Sequence, residues 1–153
     1  MIDRQERVLT ECKDIMTACV SGLFNYDIPY CELYDSIEYK TKEYMKNFYA
    51  VYTSPDKVLI NMEYFKDFNK REKITVIFHE LVHAYCWRHE IDQVEEKKGF
   101  QFHTKGYKEA VEKHGGICNY VNDLIGYNDI ILTKKAINRV KAELTYYTSL
   151  RIL

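Results

Sequence analysis

The sequence predicts an α+β fold in a single domain covering residues 1–153. Three observations support this prediction: apolar residues recur at helical intervals near the start, short runs rich in Tyr, Ile and Val come next, and further helical patterns come later. At this length one domain buries a hydrophobic core without cross-links. Hydrophobic residues make up 46% of the chain and charged residues 29%, a balance that excludes an intrinsically disordered protein.

The first predicted helix covers residues 3 to 23. Its apolar residues share one face of a helical repeat, and they are Val8, Leu9, Cys12, Ile15, Met16, Cys19, Val20 and Leu23. A small sheet of three strands is predicted next, from the runs LYDSIEY, KNFYAVYT and KVLINM. The last two runs are separated by Ser54, Pro55 and Asp56, which are typical of a turn, so we expect these two strands to form a hairpin.

The second half of the chain alternates helical patterns with polar breaks. A helix is predicted from Arg71 to about Arg88, with Asn69 or Asn61 as its candidate N-terminal cap. The charged run at residues 90–99 predicts a solvated loop. Another helix is expected over residues 104–113, with His103 at its beginning and the two glycines after His114 at its end. A C-terminal helix is predicted from residue 133 onward, after a Gly- and Asn-rich break at residues 126–129.

Charge and cysteine content restrict the class of protein. The chain has 22 basic and 23 acidic side chains, a balance that by itself predicts neither affinity for nucleic acid nor an acidic partner. The charged N-terminus lacks the apolar core of a signal peptide, and no run approaches the length of a membrane span, so we expect a cytoplasmic protein. Five scattered cysteines without a C-x-x-C pair predict free thiols.

The segment His79-Glu80-Leu81-Val82-His83 is the candidate metal-binding and catalytic motif. Histidines four residues apart on a helix project from one face and can bind the same ion. The flanking residues are all uncharged, as a buried active-site helix requires: Val76, Ile77, Phe78, Leu81, Val82 and Ala84. Hydrolytic zinc sites use three protein ligands and leave the fourth position to water, whose pKa falls towards about 7. Glu80 is then placed to act as the general base.

A third ligand has to come from elsewhere in the chain. His89 follows His83 at the offset used by metzincins, but that arrangement needs glycine where Cys86 stands and a Met-turn downstream, whereas every methionine precedes the motif. His103 comes after a loop long enough to bring it back to the helix, and it is the favoured candidate.

Other candidates for the third ligand are carboxylates and a second distant histidine. Glu95 or Glu96 would give a gluzincin-like set, although neither lies in the sequence context typical of those enzymes. His114 is interpreted as the C-terminal residue of a helix, favourably placed against the helix dipole. The predicted ligand set is therefore His79, His83 and His103.

Three runs of the chain, KVLINMEYF, FHELVHAYCW and FHTKGYKEAVEKHGG, together resemble the metallopeptidase core of SprT-like proteins, the family that includes Spartan. The resemblance covers about residues 1–116, leaving 117–153 as a C-terminal extension without the four-cysteine zinc ribbon that many members carry. It implies a minimal zincin-like domain, zinc held by His79, His83 and His103, and Glu80 as the catalytic glutamate. Thr104 stands where glycine often follows the third histidine, and Tyr107 keeps the aromatic position of the family.

Two functions of different classes are compatible with these observations. The first is a zinc endopeptidase that cleaves proteins or peptides, including, by the family resemblance, proteins associated with DNA. The alternative is a non-catalytic zinc-containing binding module of a phage or mobile element, with a phosphate-facing surface formed by Lys97, Lys98, Lys105, Lys108 and Lys113. The intact HExxH segment favours the peptidase, because a scaffold has no need of the glutamate.

Overall fold

The computed structural model describes residues 3–35, 48–97, 100–118 and 130–152. Within these ranges it contains five helices and three small sheets, which confirms the predicted α+β class. None of the described helices has the length and hydropathy needed to cross a membrane. In chain order the elements are α1 (Arg4–Gly22), β1 (Glu32–Asp35), β2 (Ala50–Thr53), β3 (Lys57–Ile60), α2 (Met62–Phe65), α3 (Lys70–Arg88), β4 (Val94–Lys97), β5 (Phe100–His103), α4 (Lys105–Lys113), β6 (Gly116–Cys118), β7 (Ile130–Leu132) and α5 (Lys134–Ile152).

Helix α1 begins and ends close to the predicted positions. Asp3 caps its N-terminus by accepting a hydrogen bond from the Glu6 amide. Five of the eight apolar residues that define the predicted face are buried, and the other three, Leu9, Val20 and Leu23, are half-buried. The helical repeat therefore identified the face that α1 packs into the core.

The three predicted strands form one sheet with the order β1-β3-β2. Strands β2 and β3 pair antiparallel on either side of the predicted turn, with Tyr52 opposite Val58, and β1 runs parallel to β3. The predicted hairpin is thus confirmed, although the described strands are shorter than the sequence runs, part of which falls in residues 36–47 outside the described ranges. Among the strands that the structure describes, β1 and β2 are the two edges of this sheet.

Both asparagines that were candidate caps act as caps, but of different helices. Asn69 begins α3 with a capping box, in which it accepts from the Glu72 amide and the Glu72 carboxylate accepts from the Asn69 amide. Asn61 caps α2, a short helix that the sequence did not predict. Helix α3 contacts α1, α4 and β2, so its buried residues lie on several sides rather than on one face.

The prediction of a loop at residues 90–99 is wrong. Strand β4 in that segment pairs antiparallel with β5, with Val94 opposite His103. Pairing between adjacent strands uses backbone groups, so a charged run can form a hairpin without the apolar pattern of a core strand. His103 consequently ends β5 and does not begin a helix, and Thr104 caps α4.

The region after α4 contains a second small hairpin that the sequence did not predict, formed by β6 and β7. His114 is the C-cap of α4, as expected, and Gly115 follows with φ of 100°, the left-handed conformation that favours glycine. Helix α5 confirms the predicted C-terminal helix, and its residues Ala136, Ile137, Val140 and Leu144 are buried in the core. The predicted break at residues 126–129 lies outside the described residues.

All five cysteines lie in the described ranges, are buried and form no disulfide, which confirms the prediction of free thiols. Burial raises the pKa of Cys12, Cys19 and Cys86 to about 12. The pKa of Cys31 is raised to about 11, mainly by burial. Because the thiolate is the reactive form, these cysteines act as small apolar core residues.

Candidate metal centre

The structure brings together the three predicted ligand residues. His79 and His83 lie on successive turns of α3, and His103 reaches them from the end of β5. One possible ligand atom from each residue lies within 4.8 Å of the other two. The ring centroids are 5.2 Å apart for His79 and His83 and 5.1 Å apart for each of these rings and His103, which makes a nearly equilateral triangle.

Burial keeps the two helix histidines neutral. The pKa of His79 is lowered well below its usual value, first by burial and then by the neighbouring rings of His83 and His103. The pKa of His83 is lowered to about 3 by burial and by His103, against the opposing effect of its hydrogen bond to Gln93. A neutral imidazole is the form that binds metal, so both rings are ready to act as ligands at neutral pH.

Tyr107 packs against all three histidines. Its ring stacks on His103 with a centroid distance of 4.2 Å and an interplanar angle of 16°, and it lies 4.5 Å from the His83 ring and 5.5 Å from the His79 ring. The buried phenol donates a hydrogen bond to the His79 carbonyl at 3.0 Å. Tyr107 therefore joins α4 to α3 next to the candidate ligands and limits how far each ring can rotate.

The connections at the base of the β4–β5 hairpin position His103. The Thr104 amide donates to the Gln93 carbonyl at 3.1 Å, and the Thr104 hydroxyl donates to the Asp92 carbonyl. The Gln93 side chain in turn lies 2.8 Å from Nδ1 of His83 through its Oε1 atom. Sequence reasoning missed Gln93, because it belongs to the segment that was predicted to be a loop.

Glu80 is almost completely buried, with 2% of its surface exposed. Its Oε2 atom accepts a hydrogen bond of 2.7 Å from the Tyr52 amide of β2, one of the two edge strands of the three-stranded sheet as described. This contact fixes the carboxylate between α3 and the sheet edge, and a charged acceptor makes it stronger than a neutral hydrogen bond. No residue on the strands was predicted to contact Glu80, since such a contact depends on tertiary packing.

The alternative histidine ligands lie elsewhere. His89 is the C-cap of α3, and its Nε2 atom is 3.0 Å from the Asp27 carboxylate. His114 stacks on Phe24 with a centroid distance of 4.6 Å, and its Nδ1 lies 2.7 Å from the Ala110 carbonyl. Neither belongs to the triangle.

The carboxylate candidates Glu95 and Glu96 lie on β4, and their side chains are outside the described part of the structure. Among the side chains that are described, His79, His83 and His103 form the one group of three or more His, Cys, Asp or Glu residues that could hold a metal ion. Three imidazole nitrogens suit the transition metals of borderline softness, zinc included, so the donor set fits such an ion.

No protein-family model, curated protein or solved structure matches the chain. Its function is therefore inferred from the residues of the site and from their contacts.

Proposed function

We propose that the chain is a zinc-dependent endopeptidase with a minimal zincin-like fold of the SprT type. The observation that supports this most strongly is the triangle of His79, His83 and His103 with the buried Glu80 next to the first of them. Zinc supplies a Lewis acid that polarises a carbonyl group and makes water acidic enough to ionise near neutral pH. Catalytic zinc sites use three protein ligands, the number that these histidines supply, and keep one coordination position open.

Glu80 is the general base of the proposed reaction. The hydrogen bond from the Tyr52 amide to Oε2 orients the carboxylate, which directly follows His79 in the chain and takes a proton from water beside the ligands. The oxygen of this water adds to the carbonyl carbon of the peptide bond, and the same carboxyl group returns the proton to the amine nitrogen as the C–N bond breaks. Burial strengthens these interactions by excluding bulk water from the carboxylate.

The proposed substrate is a protein segment in extended conformation, lying along the edge of β2. The Asn61 amide donates to the Tyr49 carbonyl, one residue beyond the Ala50–Ile60 pair, and so continues the β2–β3 register with a hydrogen-bonded pair. Such pairs alternate along antiparallel strands, and the Tyr52 amide accordingly points away from β3, towards Glu80. Because the Tyr52 amide is already bonded to Glu80, a strand added at this edge pairs through other backbone groups of β2 and passes next to the Glu80 carboxylate, which supports peptide-bond cleavage at this place.

The contacts of the described lysines argue against the alternative function, a non-catalytic module that binds phosphates. Lys105 lies 3.9 Å from Glu109 and Lys108 lies 3.8 Å from Glu112, each one turn along α4. Lys113 donates to the phenol of Tyr85 at 2.9 Å. Contacts of this kind are typical of a solvated helix surface. The side chains of Lys97 and Lys98 lie outside the described residues.

Glu80→Gln tests the proposal, with Glu109→Gln on the exposed surface of α4 as the matched control. Glutamine keeps the shape and still accepts the Tyr52 hydrogen bond, but it is not a base, so we expect cleavage to fall by a factor on the order of 10² or more. Zinc content should remain near one ion per chain in both variants, and the control should cleave like the wild type. The measurement is a gel time course with an unfolded protein substrate, with and without single-stranded DNA, at equal zinc loading.

Loss of all cleavage on chelation, and its return on adding zinc, is expected for the wild type. Equal inactivity of the wild type and Glu80→Gln on every substrate, with both proteins binding the same partner, would overturn the peptidase and support the binding module. Cleavage that requires the DNA would show that single-stranded DNA activates the enzyme and would support DNA-associated proteins as its substrates.

A further inference from the structure

We infer that Gln93 is a positioning residue of the metal centre, which fixes the tautomer of His83 so that Nε2 is the nitrogen offered to the ion. This inference deepens the proposed metal site, because it depends on metal binding and not on peptidase activity. Gln93 lies between α3 and β4, outside the HExxH segment and outside the predicted ligand set.

The hydrogen bond between the two side chains defines the tautomer. Oε1 of Gln93 lies 2.8 Å from Nδ1 of His83. An amide oxygen only accepts hydrogen bonds, so Nδ1 has to carry the ring proton. A neutral imidazole has a single N–H, and this leaves the lone pair on Nε2 for a metal ion. Without the acceptor, the ring would exchange between both tautomers, and only one of them could bind at Nε2.

Gln93 also connects the two elements that supply the ligands. Its side chain contacts His83 on α3, while its backbone carbonyl accepts from the amide of Thr104, the residue directly after His103. Substitution of the side chain removes the first contact and leaves the second one in place. A Gln93 variant therefore separates the orientation of His83 from the formation of the hairpin.

The chemical type of this residue matters as well. Hydrogen-bonded partners of metal-binding histidines are carboxylates, backbone carbonyls or waters in many sites, and a carboxylate raises the basicity of the ring. A neutral amide orients the ring without adding negative charge to three neutral ligands. We therefore expect Gln93→Glu to restore the orientation and to hold zinc at least as tightly as glutamine does.

The first test needs no metal. Long-range ¹H–¹⁵N spectra of the metal-free protein report which ring nitrogen of His83 is protonated. The wild type and Gln5→Leu, a control on the exposed surface of α1, should show the Nδ1–H tautomer, whereas Gln93→Leu should show a mixture. An Nε2–H ring in the wild type would mean that the amide group donates to His83, and it would overturn the inference.

The second test measures zinc affinity by competition with a chromophoric chelator. Gln93→Leu should bind zinc about 10- to 100-fold more weakly than the wild type, with Gln93→Glu and Gln5→Leu retaining full affinity. The absorption spectrum of the Co²⁺-substituted protein should change in Gln93→Leu only. Unfolding curves show whether Gln93→Leu is misfolded. If it is, the zinc affinity of Gln93→Glu decides whether His83 needs a hydrogen-bond acceptor at position 93.

Unchanged affinity and an unchanged Co²⁺ spectrum in a folded Gln93→Leu protein would overturn the positioning role. Absence of zinc binding by the wild type would also overturn this role. Tight zinc binding without cleavage of any substrate would reject the peptidase and leave the role of Gln93 standing, so the two failures give different results.

Discussion

Each of the three clustered histidines is held by a different kind of contact. The buried His79 ring makes a tilted contact with the ring of Tyr107, Nδ1 of His83 faces Gln93, and His103 is stacked on the ring of Tyr107. Contacts of this sort reduce the entropy that three side chains lose when they bind one ion. The site is therefore organised before a metal arrives.

Metal content should separate the clustered histidines from His89. We expect about one zinc per chain in the wild type and severe loss in His103→Ala, because two remaining protein ligands bind zinc poorly. His89→Ala is the matched control, since this exposed ring contacts Asp27 at the end of α3 and lies outside the triangle. Elemental analysis after dialysis gives the answer. An empty His89→Ala protein beside a fully loaded His103→Ala protein would restore the metzincin-like arrangement.

The sequence was sufficient to find the triangle but not the residues around it. The spacing of His79 and His83 follows from helix geometry, which is a local property of the chain. His103 was the best candidate among the remaining histidines. Gln93 and Tyr52 meet the site through a hairpin connection and a sheet edge, contacts that bring together residues distant in the chain. Nothing in their own neighbourhood in the sequence signals them.

The helices were predicted well because apolar repeats and capping residues are local features of the sequence. Strands β2 and β3 were found for the same reason, through the turn that joins them. Within the described ranges, β4 pairs with β5 alone and β6 with β7 alone. These short strands were missed because pairing with one neighbour needs no alternating apolar pattern. The error had a consequence for the site, because it placed His103 at the beginning of a helix instead of the end of a strand.

The capping box of α3 should contribute measurably to stability. Asn69→Ala removes the acceptor for the Glu72 amide, and we expect the free energy of unfolding to fall by about 1 kcal/mol. Asn138→Ala, an exposed position inside α5, is the control and should not lower it, because alanine favours a helix interior more than asparagine does. Urea unfolding of the zinc-free proteins measures both values. A loss as large in Asn138→Ala as in Asn69→Ala would show that the cap contributes nothing specific.

At the scale of the whole molecule, the burial of neutral histidines couples stability to pH. His79 and His83 have lowered pKa values in the folded protein, whereas their ordinary value is 6.5. As the pH falls below about 6.5, the unfolded chain binds protons that the folded chain does not, so the free energy of unfolding decreases. The expected loss approaches about 1.4 kcal/mol per pH unit for each such histidine, down to the folded pKa.

Urea unfolding of the metal-free protein at pH 7.5 and pH 5.5 checks this coupling in a window where carboxylates titrate little. The wild type should be less stable at pH 5.5, and His83→Gln should show a smaller difference because it has lost one of the histidines whose pKa is lowered by burial, which also include His114. Equal stability at both pH values in the wild type would contradict the buried, neutral state of these rings.

The packing of α5 against α1 also has a consequence for the order of events during protein synthesis. Ser21 near the end of α1 donates to the Glu143 carboxylate at 3.1 Å, and a Cβ at Gly22 would lie 3.2 Å from the Glu143 side chain. Helix α1 ends at Gly22 and α5 begins at Lys134, so more than a hundred residues have to be translated between them. At typical elongation rates this takes roughly 5–20 s. During that interval the part of α1 that α5 later covers is exposed, and it stays exposed for longer than the part that α3 covers, because α3 begins at Lys70.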